Sequence, residues 1–201
     1  MRCLALILMV LGFGQGAMAQ TYPALHDVSG VGAGDMLNVR AGPGVGNPVI
    51  GRLAPDQTGV EVLGTEGNWA LINIDERTGW TSLRFLNRRA DGDLPNTQRA
   101  ICSGTEPFWS LDIRQGQTAE LRTPDTAIVD TYTVGLFQGA HMGAGKYVLR
   151  GVGGAREIAV VVTHAACTDG MSDRAYGLDA TVIVTGRQGP SYSGCCSLTE
   201  F

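Results

Sequence analysis

The chain has 201 residues and a formal charge of −4, from 15 basic and 19 acidic side chains. With one lysine, Lys146, and no basic stripe, it lacks the clustered positive charge that nucleic-acid binding rests on. The 29 glycines and the scarcity of long helical periodicity predict an all-β chain with many tight turns.

Met1-Arg2-Cys3 precedes an apolar run from Leu4 to Phe13, then the small-residue pattern Ala17-Met18-Ala19. This is the pattern of a secretory signal over residues 1–19, with cleavage expected after Ala19. The run is too short to span a bilayer and no later segment is long or apolar enough, so no stable membrane insertion is expected. Cys3 lies before the apolar core and not at the cleavage site, which argues against a lipid anchor. A periplasmic or secreted protein is expected. Cys102, Cys167, Cys195 and Cys196 follow the signal, and four cysteines in an oxidising compartment predict two disulfides. The residues alone leave three pairings open. Cys195 and Cys196, adjacent on a strand, point to opposite faces and so take different distant partners.

The stretch from Met36 to Leu86 reads as a small five-stranded barrel. Leu37–Arg40 alternates apolar and polar, Ala41-Gly42-Pro43-Gly44 breaks it, and Val49–Leu53 resumes the alternation. Gly59–Leu63 is a third strand, Glu66-Gly67-Asn68 a turn, Trp69–Ile74 a fourth strand, and Gly79–Ser82 leads into a short last one. The segments LNVRAGPG, GNWALI and GWTSLRFL, in this order, resemble the bacterial SH3 domain of exported cell-wall proteins over residues 22–87. The resemblance implies a binding module for peptidoglycan or a peptide. Its ligand site would use the loop from Arg40 to Asn47 with Trp69 and Trp80. The other reading places both tryptophans in the barrel core or rim, with Arg40 paired to Asp35 or Asp56 at the surface.

Residues 88–98 are polar, contain Pro95 and show no periodicity, as expected of a short linker. From residue 99 to 201 six to eight antiparallel strands are predicted, among them Phe108–Ile113, Ala119–Arg122, Ile128–Phe137, Lys146–Arg150, Glu157–Thr163, Tyr176–Thr185 and Tyr192–Leu198. They make a second disulfide-stabilised β-barrel or a sandwich. The segments CSGTEPFW (102–109), CTDGMSDRAY (167–176) and GCC (194–196) resemble a group of exported bacterial envelope proteins with no defined activity. Members of that group often lack a cysteine before GTEPFW. The resemblance therefore implies Cys167–Cys195 as the shared bridge and Cys102–Cys196 as an addition, with the swapped pairing still open. Asp169-Gly170 is a turn in which Ser172 or Asp173 accepts backbone donors. Glu106, Asp173 and Arg174 are expected to form a charged network near one disulfide. With Trp109 and Asp169, they make a polar cluster that is either structural or a ligand site.

Catalytic readings fare worse. A Cys167–His164 or Cys167–His141 hydrolase needs a thiolate, and oxidised cysteines supply none. Zinc spacing is absent, His141-Met142 is a weak copper pair, and His26 reads as a surface residue, so no metal and no cofactor are expected. A glycosidase dyad of Glu106 with Asp169 or Asp173 lacks a sugar-stacking groove. The glycine-rich stretch ending at Lys146 lacks the Ser/Thr of a phosphate loop. The expectation is a non-enzymatic cell-envelope protein whose partner is peptidoglycan or an envelope protein. The alternatives are an envelope scaffold or stress-related protein acting through protein contacts and, more distantly, a peptidoglycan hydrolase. The sequence does not set the oligomeric state.

Overall fold

A computed structural model of the chain describes residues 21–124, 129–186 and 189–200; the expected secretory signal and Ile128 lie outside the described residues. Among the described residues all the regular structure is β, apart from one 3-10 turn at Leu83–Phe85. Among the described residues no helix is long and apolar enough to cross a membrane.

The first sheet has seven strands: β1 (Ala24–Val28), β2 (Leu37–Arg40), β3 (Val49–Leu53), β4 (Val60–Glu66), β5 (Trp69–Ile74), β6 (Arg77–Ser82) and β7 (Leu86–Arg88). Their order is β3-β2-β6-β5-β4-β1-β7. Leu37 and Val39, Val60 and Val62, and Ala70 and Ile72 alternate inward, as half-buried strands require. Leu53 of β3 and Leu86 of β7, at opposite ends of the sheet, enter the same core, so the sheet curls round it.

The five expected strands are present, and β1 and β7 are two more. β1 also corrects the reading of His26. This residue pairs with Val60 and shares its inward face, so it is buried (1% exposed) rather than at the surface. Its Nδ1 donates to the Ala24 carbonyl at 2.9 Å, and burial pushes its pKa down.

The second sheet contains β8 (Arg99–Thr105), β9 (Phe108–Arg114), β10 (Thr118–Arg122), β11 (Asp130–Val134), β12 (Gln138–Gly139), β13 (Lys146–Gly153), β14 (Arg156–Cys167), β15 (Tyr176–Val184) and β16 (Ser191–Thr199). It runs β11-β10-β9-β8-β16-β15-β14-β13, and β11 then pairs with β13. Eight strands thus form a closed barrel, which decides between barrel and sandwich. β12 continues along the β13 edge beyond β11. Closure brings backbones close at the seam. A Cβ on Gly151 would lie 2.5 Å from Val134 Cγ1, and one on Gly153 would lie 2.4 Å from the Thr131 carbonyl oxygen. Leu111, Ile113, Tyr132, Leu149, Val160 and Leu178 fill the interior.

The disulfides are Cys102–Cys196 and Cys167–Cys195. Register explains the first, because Cys102 and Cys196 are direct partners on β8 and β16 and both point into the barrel core. Cys195 points the other way and reaches Cys167 at the end of β14.

The segment between the sheets is not a loose tether. Leu94 is buried in the core of the second barrel, Arg88 pairs with Asp93 at 2.7 Å, and Gln115 Nε2 donates to the carbonyls of Pro95 and Thr97. Leu25 of β1 enters that same second core. The two sheets are further joined through Arg89–Glu200 (2.7 Å), Thr58–Glu200 (2.6 Å) and the Leu198 N–H, which donates to Glu61 Oε1 at 2.7 Å.

The two disulfides close loops of different length, with sequence separations of 94 and 28. Replacing either pair by alanine is expected to cost about 2–5 kcal/mol, with the Cys102/Cys196 double variant about 1 kcal/mol worse on loop entropy alone. Denaturant unfolding of the two double variants side by side checks this order.

Candidate functional site

Residues on the outer face of β2, β6 and β5 build a groove of about 350 Å³ with the chain before β2 and the turn after β6. Because side chains alternate, the residues that flank the inward Val39, Ala70 and Thr81 point outward. These are Asn38 and Arg40, Trp69 and Leu71, and Trp80 and Ser82. Register then sets them in rows: Trp80 lies opposite both Arg40 and Leu71, and Trp69 opposite Ser82. Arg40, Trp69 and Ser82 line the groove together with Val31, Arg84 and Phe85. Both tryptophans are half-buried and neither belongs to the hydrophobic core.

The four predicted ligand residues therefore separate. Arg40 and Trp69 line the groove. Trp80 shares their sheet face but lies outside the lining. Asn47 shapes the loop: its carbonyl accepts from Arg40 Nη1 at 2.8 Å and its Nδ2 donates to the Gly44 carbonyl at 3.4 Å. Arg40 thus holds the loop and pairs with neither Asp35 nor Asp56. Asp35 Oδ1 instead accepts the N–H of Met36 at 2.8 Å.

Two groove residues, Arg84 and Phe85, escaped the sequence reading because LRFL reads there as the end of a strand. The chain instead makes a 3-10 turn at Leu83–Phe85, which sets the Arg84 guanidinium 4.5 Å from the Phe85 ring centroid. The groove therefore carries two guanidinium groups beside apolar and aromatic surface. That combination suits a ligand with an anionic group next to a flat or apolar one.

The second candidate cluster does not assemble as expected. Among the described residues no ion pair joins Glu106, Asp173 and Arg174. Glu106 is exposed in the β8–β9 turn. Trp109 is buried, donates from Nε1 to the Ser193 carbonyl at 3.2 Å and lies 5.6 Å from the Tyr192 ring. Gly104 is needed beneath it, since a Cβ there would meet Trp109 Nε1 at 2.3 Å. Within the GTEPFW segment, Gly104 and Trp109 thus pack against β16, while Glu106 and Phe108 stay exposed.

The 168–175 loop is organised by Asp169. Its carboxylate accepts the N–H groups of Met171 (3.0 Å) and Ser172 (2.9 Å), the Ser172 hydroxyl (2.7 Å) and the Tyr176 hydroxyl (3.1 Å). The Ser172 and Met171 amides are the main cause of a carboxyl held far below the usual range. Ser172 Oγ in turn accepts the Arg174 N–H at 3.3 Å.

This ordered loop docks on the β5–β6 turn of the first sheet. The Asp173 N–H donates to the Glu76 carbonyl (3.0 Å) and Arg174 Nη1 to the Asp75 carbonyl (3.1 Å). Asn73 bonds both backbone groups of Ala175, at 2.8 and 3.1 Å. The motif in the sequence is therefore a clasp between the two sheets.

Residues 35–87 match the family model of the bacterial SH3 domain. The match covers the groove from Asp35 to Phe85 but leaves out β1 and all of the second barrel. No curated protein and no solved structure matches the chain.

Ionised Asp169 stabilises the fold at every pH above its unfolded pKa of about 4, and the contribution is lost as pH falls below that value. Asp169→Asn is expected to lower stability at neutral pH by on the order of 1 kcal/mol through the lost charge-assisted bonds. Thermal unfolding across pH checks the sign, because the gap between variant and wild type narrows as pH falls from about 4 toward 2.

Proposed function

We propose that this is a periplasmic or secreted cell-envelope protein that binds rather than catalyses, and that its bacterial SH3 domain takes peptidoglycan or a peptide in the groove beside Trp69. The observation that carries the reading is the grouping of Trp69, Phe85, Arg40 and Arg84 around one concave surface within the family-matched segment. Trp69 and Phe85 offer faces for sugar rings or apolar side chains, and the two guanidinium groups meet carboxylates. The wall polymer combines all of these in its glycan strands and peptide stems.

The cysteines support the same compartment and a non-enzymatic role. Cys102, Cys167, Cys195 and Cys196 are all in disulfides, so none is a thiolate, and His164 faces the Tyr147 ring at 5.5 Å. A scaffold acting through protein contacts is the second reading. It draws on Phe108 at the start of β9 (60% exposed) and Met171 in the 168–175 loop (69% exposed), brought near each other by the bond from Thr105 Oγ1, at the end of β8, to the Asp169 carbonyl at 3.0 Å.

Co-sedimentation of the full mature chain with purified sacculi tests the first reading. Wild type is expected in the pellet, and Trp69→Ala and Arg40→Ala are each expected to weaken retention about tenfold, the equivalent of about 1.4 kcal/mol. Ile183→Ala, on the outer surface of the second barrel, is the control and is expected to behave as wild type. If wild type stays in the supernatant, or Trp69→Ala pellets like wild type, the groove reading fails.

A further inference from the structure

A second cavity, of about 420 Å³, lies between the two sheets. The 168–175 clasp bounds it on one side, and the bonds of Glu61 with Leu198 of β16 and of Glu200 with Thr58 bound it on the other. Interfaces within a chain usually pack shut or stay polar and mobile. This one is pinned at both ends and leaves a concave space of ligand size in the middle.

The charged groups facing the cavity are few. Glu61 comes from β4, Arg174 from the clasp, and Asp75 stands at the exposed rim; Ser103, Tyr176 and Ser197 supply hydroxyls. Glu61 and Arg174 feel each other's field yet do not form an ion pair. Arg174 Nη1 is spent on the Asp75 carbonyl, while its buried Nε has no hydrogen-bond partner among the described residues. A guanidinium held apart from a desolvated carboxylate leaves each charge on the cleft wall without its natural partner. One molecule with an anionic group for Arg174 and a cationic group for Glu61 would relieve both.

We propose that the cleft between the sheets is a binding site for a small zwitterion, an amino acid or a dipeptide with both ends free. Its ammonium group lies against Glu61 and its carboxylate against Arg174. The site is separate from the Trp69 groove and does not depend on that reading. Glu61 brings a proton-linked signature. Burial pushes its pKa up to about 7, against the Leu198 N–H, the Ser197 hydroxyl and Arg174, which all pull it down. An arriving ammonium favours the ionised carboxylate, so binding near neutral pH releases a proton from Glu61 to the buffer.

Isothermal titration of the full mature chain with alanyl-alanine, in two buffers of different ionisation enthalpy, tests the proposal. Binding is expected, with a heat that differs between the buffers. N-acetyl-alanyl-alanine and alanyl-alaninamide, each lacking one charge, are expected to bind at least tenfold more weakly. Glu61→Gln is expected to weaken the free dipeptide and remove the buffer dependence; Arg174→Gln is expected to weaken it without removing that dependence. Circular dichroism checks that both variants are folded, and the comparison of free and blocked dipeptides on wild type needs no variant at all. No binding at millimolar dipeptide, or blocked dipeptides binding as well as the free one, overturns the proposal.

Discussion

Leu25 belongs to one sheet by its backbone and to the other by its side chain. β1 pairs with β4 and β7 of the first sheet, while Leu25 sits in the second core beside Leu94. Its neighbours Ala24, His26 and Val28 are buried as well. A strand buried on both faces cannot leave one domain without opening the other. The clasp, the cleft and the packed connecting segment all presuppose this shared strand.

Opposite faces of single strands do separate jobs elsewhere in the chain. On β16, Cys196 closes the barrel core while Cys195, one residue earlier, ties down the end of β14 from outside. On β5, Ala70 and Ile72 build the first core, Trp69 lines the groove and Asn73 holds the clasp. The period of two thus separates core from outer face, and position along β5 separates the groove at Trp69 from the clasp at Asn73. A change on one face acts on its own layer more than on the others.

The electrostatics divide in the same way. Asp169 is surrounded by donors and is stabilised as an anion, which makes it a structural charge. Glu61 is desolvated with fewer donors, so its proton is within reach at neutral pH. Two carboxyls some ångströms from one interface are therefore set to opposite tasks by their hydrogen bonds. Arg174 gives one nitrogen to the clasp and also lines the cleft.

The alternation of Leu37 with Val39, of Leu111 with Ile113, and of Leu178 through Val184 made the β class and most strands legible in the sequence, because side-chain period is a local property. Turn chemistry at Asp169-Gly170 was legible for the same reason, and so was the disulfide bonding of the four cysteines. What a face is buried against is not local. His26 reads as a surface residue until β4 lies beside it, and that the short linker 88–98 buries Leu94 shows only in the second core. The residues left three disulfide pairings, and the register of β8 against β16 selected one. Trp69 and Arg84 line one groove only because β5 and β6 pair and the chain turns after Ser82. The clasp and the cleft need two sheets at once, and contacts between segments a hundred residues apart leave no periodic trace in the sequence of either.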